Sequence, residues 1–166
     1  MVEKLPKRQI VQDAFNVFMF VADNSNVEWA LSGLRNGGKM DYILNTINEK
    51  TAVNRDYLGK NRLNMVFDVH SHVTTNDASY VASGYGLYSA GLTEGGSDAD
   101  FMDSLFQSFK EAQKRWTSEY PRLYFYHTNS NGLYHYNHQT DSEYVGKVGN
   151  SKGLIDFVTK HRIKLK

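Results

Sequence analysis

The chain predicts a mixed α/β fold, with a mainly antiparallel sheet flanked by an N-terminal helix and a central helix. Three observations carry this. Residues 7 to 23 place apolar side chains at helical spacing. An Asn36-Gly37-Gly38 turn sits between two strand candidates. A near-continuous apolar run, Leu63 to His70, has the composition of a central strand covered on both faces.

Taken in order, the first helix presents Ile10, Val11, Ala14, Phe15, Val17, Phe18 and Val21 to a core, and Asn24-Ser25-Asn26 ends it. Val27 to Leu31 alternates as a strand does, and the second arm of the hairpin runs roughly from Lys39 to Ile47. Asn48 to Asn61 is polar and reads as a loop. Residues 73 to 96 are rich in Gly, Ser, Thr and Tyr and form a long second loop, of the length that usually carries function. Ser97 fits an N-cap, with Asp98 and Asp100 in the first turn of a helix from about Ala99 to Ser118 that buries Phe101, Leu105, Phe109 and Trp116. Pro121 stops it. Leu123 to His127 and Leu133 to Tyr136 make a second hairpin around Asn129-Ser130-Asn131-Gly132, and the tail from Lys152 is a short helix or strand.

The chain is expected to be a single domain over residues 1–166, large enough to hold a core without staples. Nineteen basic residues against eighteen acidic ones leave a net charge of +1, so no nucleic-acid partner is implied. The absence of cysteine excludes disulfides, thiolate metal sites and thiol nucleophiles. The apolar stretch Val17 to Ala22 is too short to span a bilayer, and no cleavage site of a signal peptide follows it. Neither a membrane partner nor a targeting segment is expected.

The chemistry concentrates at Asp68-Val69-His70-Ser71-His72. On a strand, residues two apart share a face, so His70 and His72 can grip one cation together or merely cap the strand end. Context favours the cation. The pair ends a buried strand, a polar loop follows, and an Asp-bearing helix start comes next. Two imidazoles and a carboxylate, with a fourth position for water, make the ligand set of a catalytic zinc site. His127, His135 and His138 read instead as surface histidines among tyrosines, and the stripe Tyr124, Tyr126, Tyr134, Tyr136 as cross-strand packing.

His70-Ser71-His72 with Ser97-x-x-Asp100 resembles the H-[S/T]-H…S-x-x-D signature of the JAMM/MPN-type (JAB domain) metalloproteases. Val27-Glu28-Trp29-Ala30-Leu31 lies where that family has a glutamate on an earlier strand. The N-terminal helix followed by Asn26-Val27-Glu28-Trp29 further resembles the JAB-like domains of bacterial polymorphic toxins, notably Rhs-type ones of Bacteroidetes. The resemblance implies a cytidine-deaminase-like, JAB-type fold. It implies Zn²⁺ held by His70, His72 and Asp100, with Glu28 as general base and Ser97 as oxyanion donor. The activity implied is peptide or isopeptide hydrolysis. The partners implied are a protein or peptide substrate and a cognate immunity protein, with the domain cytoplasmic in its producer or delivered as a secreted effector.

Two departures from the signature stand out. Val73 replaces the proline usual after the second histidine, and Asp100 follows His72 by 28 residues, far beyond the family's short spacer. An insertion over Thr74 to Gly96 accounts for the spacing and leaves three carboxylates in contention: Asp100 by the motif match, Asp98 beside it and Asp77 in the loop. Glu49 competes with Glu28, which alternation could also turn to solvent. The alternative function is a JAB-like module that binds protein without catalysis; a phosphoesterase reading lacks a second set of carboxylates near the histidines.

Overall fold

The computed structural model describes residues 7–46, 48, 56–73, 98–112, 121–136 and 143–160. Helix α1 spans Lys7–Asn24, and strands β1 (Ala30–Asn36) and β2 (Lys39–Asn45) form the first hairpin. A kinked 3-10 segment, Asp56–Asn64, leads into β3 (Met65–His72). Helix α2 (Asp98–Glu111), the hairpin β4 (Arg122–His127) and β5 (Gly132–Tyr136), strand β6 (Glu143–Lys147) and helix α3 (Ser151–Lys160) complete the order.

The six strands form one sheet in the order β2-β1-β3-β4-β5-β6. Every pairing is antiparallel except β3 with β4, which are parallel, with Phe67 opposite Arg122 and His72 opposite His127. A parallel pair needs a crossover connection, and the stretch containing α2 provides it. The predicted class therefore holds: mixed α/β, mainly antiparallel, with helices on both faces.

One face packs against α1 and α3. Phe15, Phe18, Met19 and Ala22 of α1 meet Leu154 and Val158 of α3 over Leu31, Phe67, Val69, Tyr124, Tyr126 and Leu133. Of the apolar positions read for α1, Ile10 and Val17 are exposed, because 18 residues hold more apolar groups than one sheet-facing stripe can bury. The opposite face packs against α2 and the 3-10 segment through Met102, Leu105 and Phe109, with Leu34, Leu58, Met65, Leu123, Phe125 and Tyr136.

The first turn needs its glycines, since Gly37 and Gly38 take φ of 55° and 81°. Three elements depart from the sequence reading, and the tail takes one of its two expected forms. Part of the polar stretch read as a loop, from Asp56 on, is the 3-10 segment, in which Leu58 is buried against α2's cluster. β6 was not predicted, being short and interrupted by Gly146. The tail is helical, with Asn150 Oδ1 accepting from Gly153 N–H at 3.0 Å in the manner of an N-cap. α2 begins at Asp98, and its buried positions include Met102, with Phe101 only half-buried. Residues 74 to 97, with Ser97 and Asp77, and Glu49, Trp116 and His138 lie outside the described residues.

Candidate metal centre

β3 is buried along nearly all its length, and its alternation separates two chemistries. Phe67 and Val69 face α1, whereas Asp68, His70 and His72 share the face covered by α2. Both imidazoles are buried, at 1% and 6% exposure. Their Nε2 atoms stand 3.0 Å apart.

α2 delivers the third group. Asp98, Met102, Leu105 and Phe109 follow the i, i+4, i+7, i+11 spacing of one helix stripe, so burying the three apolar residues carries Asp98 onto the sheet as well. Its Oδ1 lies 3.0 Å from His70 Nε2 and its Oδ2 3.4 Å from His72 Nε2. Burial works against ionisation of Asp98, but the charge and hydrogen bonds of His70, and then of His72, outweigh it. The carboxyl sits well below the usual carboxylate range.

Among the described residues, His70, His72 and Asp98 form a group whose donor atoms could share one cation. Nitrogen and oxygen ligands at ~2.0–2.2 Å in a tetrahedron stand about 3.3–3.6 Å apart. The 3.0 Å between the two Nε2 atoms is close to that requirement, and the two Asp98 oxygens lie 3.0 and 3.4 Å from one imidazole each. Two neutral imidazoles and one carboxylate also match the donor preference of zinc, and three protein ligands leave a position for water. The residues present fit the metal.

The aromatic surroundings hold the rings in place. His72 stacks on Phe125 with centroids 4.4 Å apart and planes 12° from parallel, and Phe125 stacks in turn on Tyr134 at 4.8 Å. Tyr136 meets His70 edge to face at 5.9 Å. The tyrosines on this face thus support the histidines, beyond pairing with each other.

The placement of the other sequence-read residues is mixed. Glu28 is buried at 8% exposure, where alternation alone also allowed a solvent-facing side chain. The β1–β3 register pairs Ala30 with His70, and Ser71 N–H continues the pairing by donating to the Trp29 carbonyl at 2.8 Å. Extending that register sets Glu28 opposite His72. Asp100 is not in the three-residue group: two residues along a helix is a rotation of about 200°, which takes it off the stripe that faces the sheet. Of the paired helix-start carboxylates, Asp98 meets the histidines, and the stripe it shares with Met102 and Leu105 was the available signal.

His127 and His135 are buried, at 1% and 3% exposure, rather than on the surface. Register sets His127 beside His72. Its Nδ1 accepts from Ser130 N–H at 3.2 Å and faces Ser130 Oγ at 2.8 Å, which leaves the proton of the neutral ring on Nε2. The tyrosine-rich setting concealed this, since the same composition serves an exposed hairpin as well as a buried one.

A mixed sheet with two strand-end imidazoles and a helix-start carboxylate defines an α/β protein with a candidate metal centre. Over residues 8–103, more than half of its length, the chain matches the family described as JAB-like toxin 1, and it belongs to that family of bacterial toxin domains. No protein of curated function matches it. No described helix is long and apolar enough to cross a membrane.

Proposed function

We propose that this domain is a zinc-dependent peptidase or isopeptidase, the catalytic effector of a bacterial polymorphic toxin. The observation that carries the reading is the buried group of His70 and His72 at the end of β3 and Asp98 at the start of α2, with facing polar atoms 3.0–3.4 Å apart. Zinc bound there supplies Lewis acidity toward the scissile carbonyl and lowers the pKa of water toward neutrality. His70 and His72 act as neutral Nε2 donors, and Asp98 as the charged ligand that offsets the cation.

Glu28 is the general base. It takes the proton of the attacking water and passes it to the leaving amine, so that the broken amide ends as a carboxylate and a free amine. Ser97 is assigned the donor to the oxyanion that forms on the carbonyl. The substrate class is a protein or peptide, and a toxin of this kind requires a cognate immunity protein in its producer. Delivery to a target cell follows from the same reading.

Metal analysis of the purified domain beside the H70A/H72A double variant tests the metal, and E28Q tests the base. Wild type should carry about one zinc per chain, and the double variant essentially none. E28Q should keep the zinc while peptide hydrolysis or toxicity to a host cell falls by roughly 10²–10⁴-fold, the size of general acid–base catalysis. Equal zinc in wild type and the double variant refutes the metal site. A zinc-loaded wild type that neither hydrolyses peptides nor harms cells favours the non-catalytic binding module.

A further inference from the structure

β3 carries a third polar residue on the same face. Asp68 is fully buried, in a strand whose other buried positions are apolar residues, the two histidines and Ser71. Burying a carboxylate in such a strand is unfavourable unless it is hydrogen-bonded and does something an aliphatic side chain cannot. Its Oδ2 accepts a hydrogen bond from Ser32 Oγ at 2.6 Å, across the β1–β3 register that pairs these two residues. Its Oδ1 lies 3.9 Å from His70 Nδ1.

A histidine that binds metal through Nε2 carries its proton on Nδ1, and an acceptor for that N–H fixes the ring and raises its basicity as a ligand. We propose that Asp68, anchored by Ser32, is the carboxylate that receives the His70 Nδ1–H and so positions His70 on the metal. Ser32, Asp68 and His70 then form one linked series, with Asp98 against the other ring nitrogen of His70. At 3.9 Å the present separation is longer than a hydrogen bond, so the proposed bond requires His70 and Asp68 to draw closer. His72 draws its support differently, from its stack on Phe125. Asp68 is a positioning residue: it acts through His70 and touches neither substrate nor metal. The inference rests on the metal reading above.

The test measures zinc affinity by competition with a chromophoric chelator for wild type, D68N and S32A, with nitrogen-15 NMR of the imidazoles in the zinc-loaded proteins. D68N keeps the shape of the side chain and should weaken zinc binding by about 10–100-fold, the range for removal of such outer carboxylates. S32A loosens the anchor without removing the carboxylate and should weaken binding several-fold. In wild type, the His70 Nδ1–H should exchange slowly and resonate far downfield. In D68N it should move upfield and exchange faster, while the His72 signals stay in place. A merely structural role for Asp68 would leave that proton unmoved.

Zinc affinity and a His70 Nδ1–H signal equal to wild type in D68N overturn the inference and leave the metal site standing. Failure of wild type to bind zinc overturns both. Should D68N not fold, unchanged affinity and an unchanged His70 signal in S32A overturn it equally.

Discussion

Asp98 and Asp100 differ by two positions on one helix, and that difference separates a carboxylate that meets both histidines from one that is not in the group. D98N should therefore weaken zinc binding by at least about 10-fold, since it replaces a charged ligand by a neutral amide. D100N should leave the affinity within about 2-fold, because it changes a half-buried residue off the sheet-facing stripe. Competition with a chelator reads both. Equal losses in the two variants would mean that the start of α2 rearranges around the metal. At the same scale, Glu28 and His127 show how burial changes a reading. Each has an ordinary role when exposed; His127 lies beside His72 because β4 flanks β3, and Glu28 comes just ahead of β1, which flanks β3 on its other side.

At the scale of the elements, the centre depends on how closely β1 approaches β3. Gly33 makes room between them for the Phe67 ring: a Cβ there would stand 2.2 Å from that ring. The ladder shifts register just beyond it, between Gly33 and Leu34. G33A must displace Phe67, which packs on Phe15 in the core under α1. Overpacking of this kind costs about 1–3 kcal/mol, and urea unfolding should show a loss of that size at unchanged m-value. Because Ser32 and Ala30 precede Gly33 on β1, with Glu28 just ahead of the strand, the variant should also weaken zinc binding. Stability and zinc affinity both equal to wild type would show that β1 is free to move against β3 without disturbing the site.

For the molecule as a whole, two buried phenols on the helical face couple the sheet to pH. Burial pushes Tyr124 up to about 12, although the Arg122 guanidinium opposes the rise. Burial also raises Tyr126, together with the Asp23 carboxylate that accepts its hydrogen bond at 3.0 Å. In the unfolded chain a tyrosine ionises near pH ~10. The fold thus favours the protonated phenols. Their contribution to stability is complete below pH ~10 and is lost as pH rises through the raised folded values. Melting temperature should fall steeply above pH ~10. Y126F should melt lower than wild type at neutral pH, having lost hydrogen bonds to Asp23 and Asn131, yet decline less steeply in alkali. Parallel alkaline slopes for the two proteins would place the titrating group elsewhere.

Much of this was legible along the chain. The period of α1, the paired glycines of the first hairpin, the apolar run of β3 and the Asn-Gly turn before β5 are local signals, and local spacing suffices to read them. The His-x-His pair was legible for the same reason, because side-chain alternation on a strand is a property of the backbone. The 3-10 segment and β6 were not: both are short, and packing against α2's cluster and pairing with β5 hold them, not propensity. The carboxylate of the candidate metal centre was the hardest to read. The spacing in the chain left Asp98, Asp100 and Asp77 in contention, and only the seating of Met102, Leu105 and Phe109 on the sheet singles out Asp98 within α2. The same holds for Asp68, whose partner Ser32 lies 36 residues away and is reached only through the β1–β3 register. Residue types and their local periodicity single out the histidines as candidate ligands; which carboxylates join them depends on contacts between distant segments, and those exist only once the helix has docked and the strands have paired.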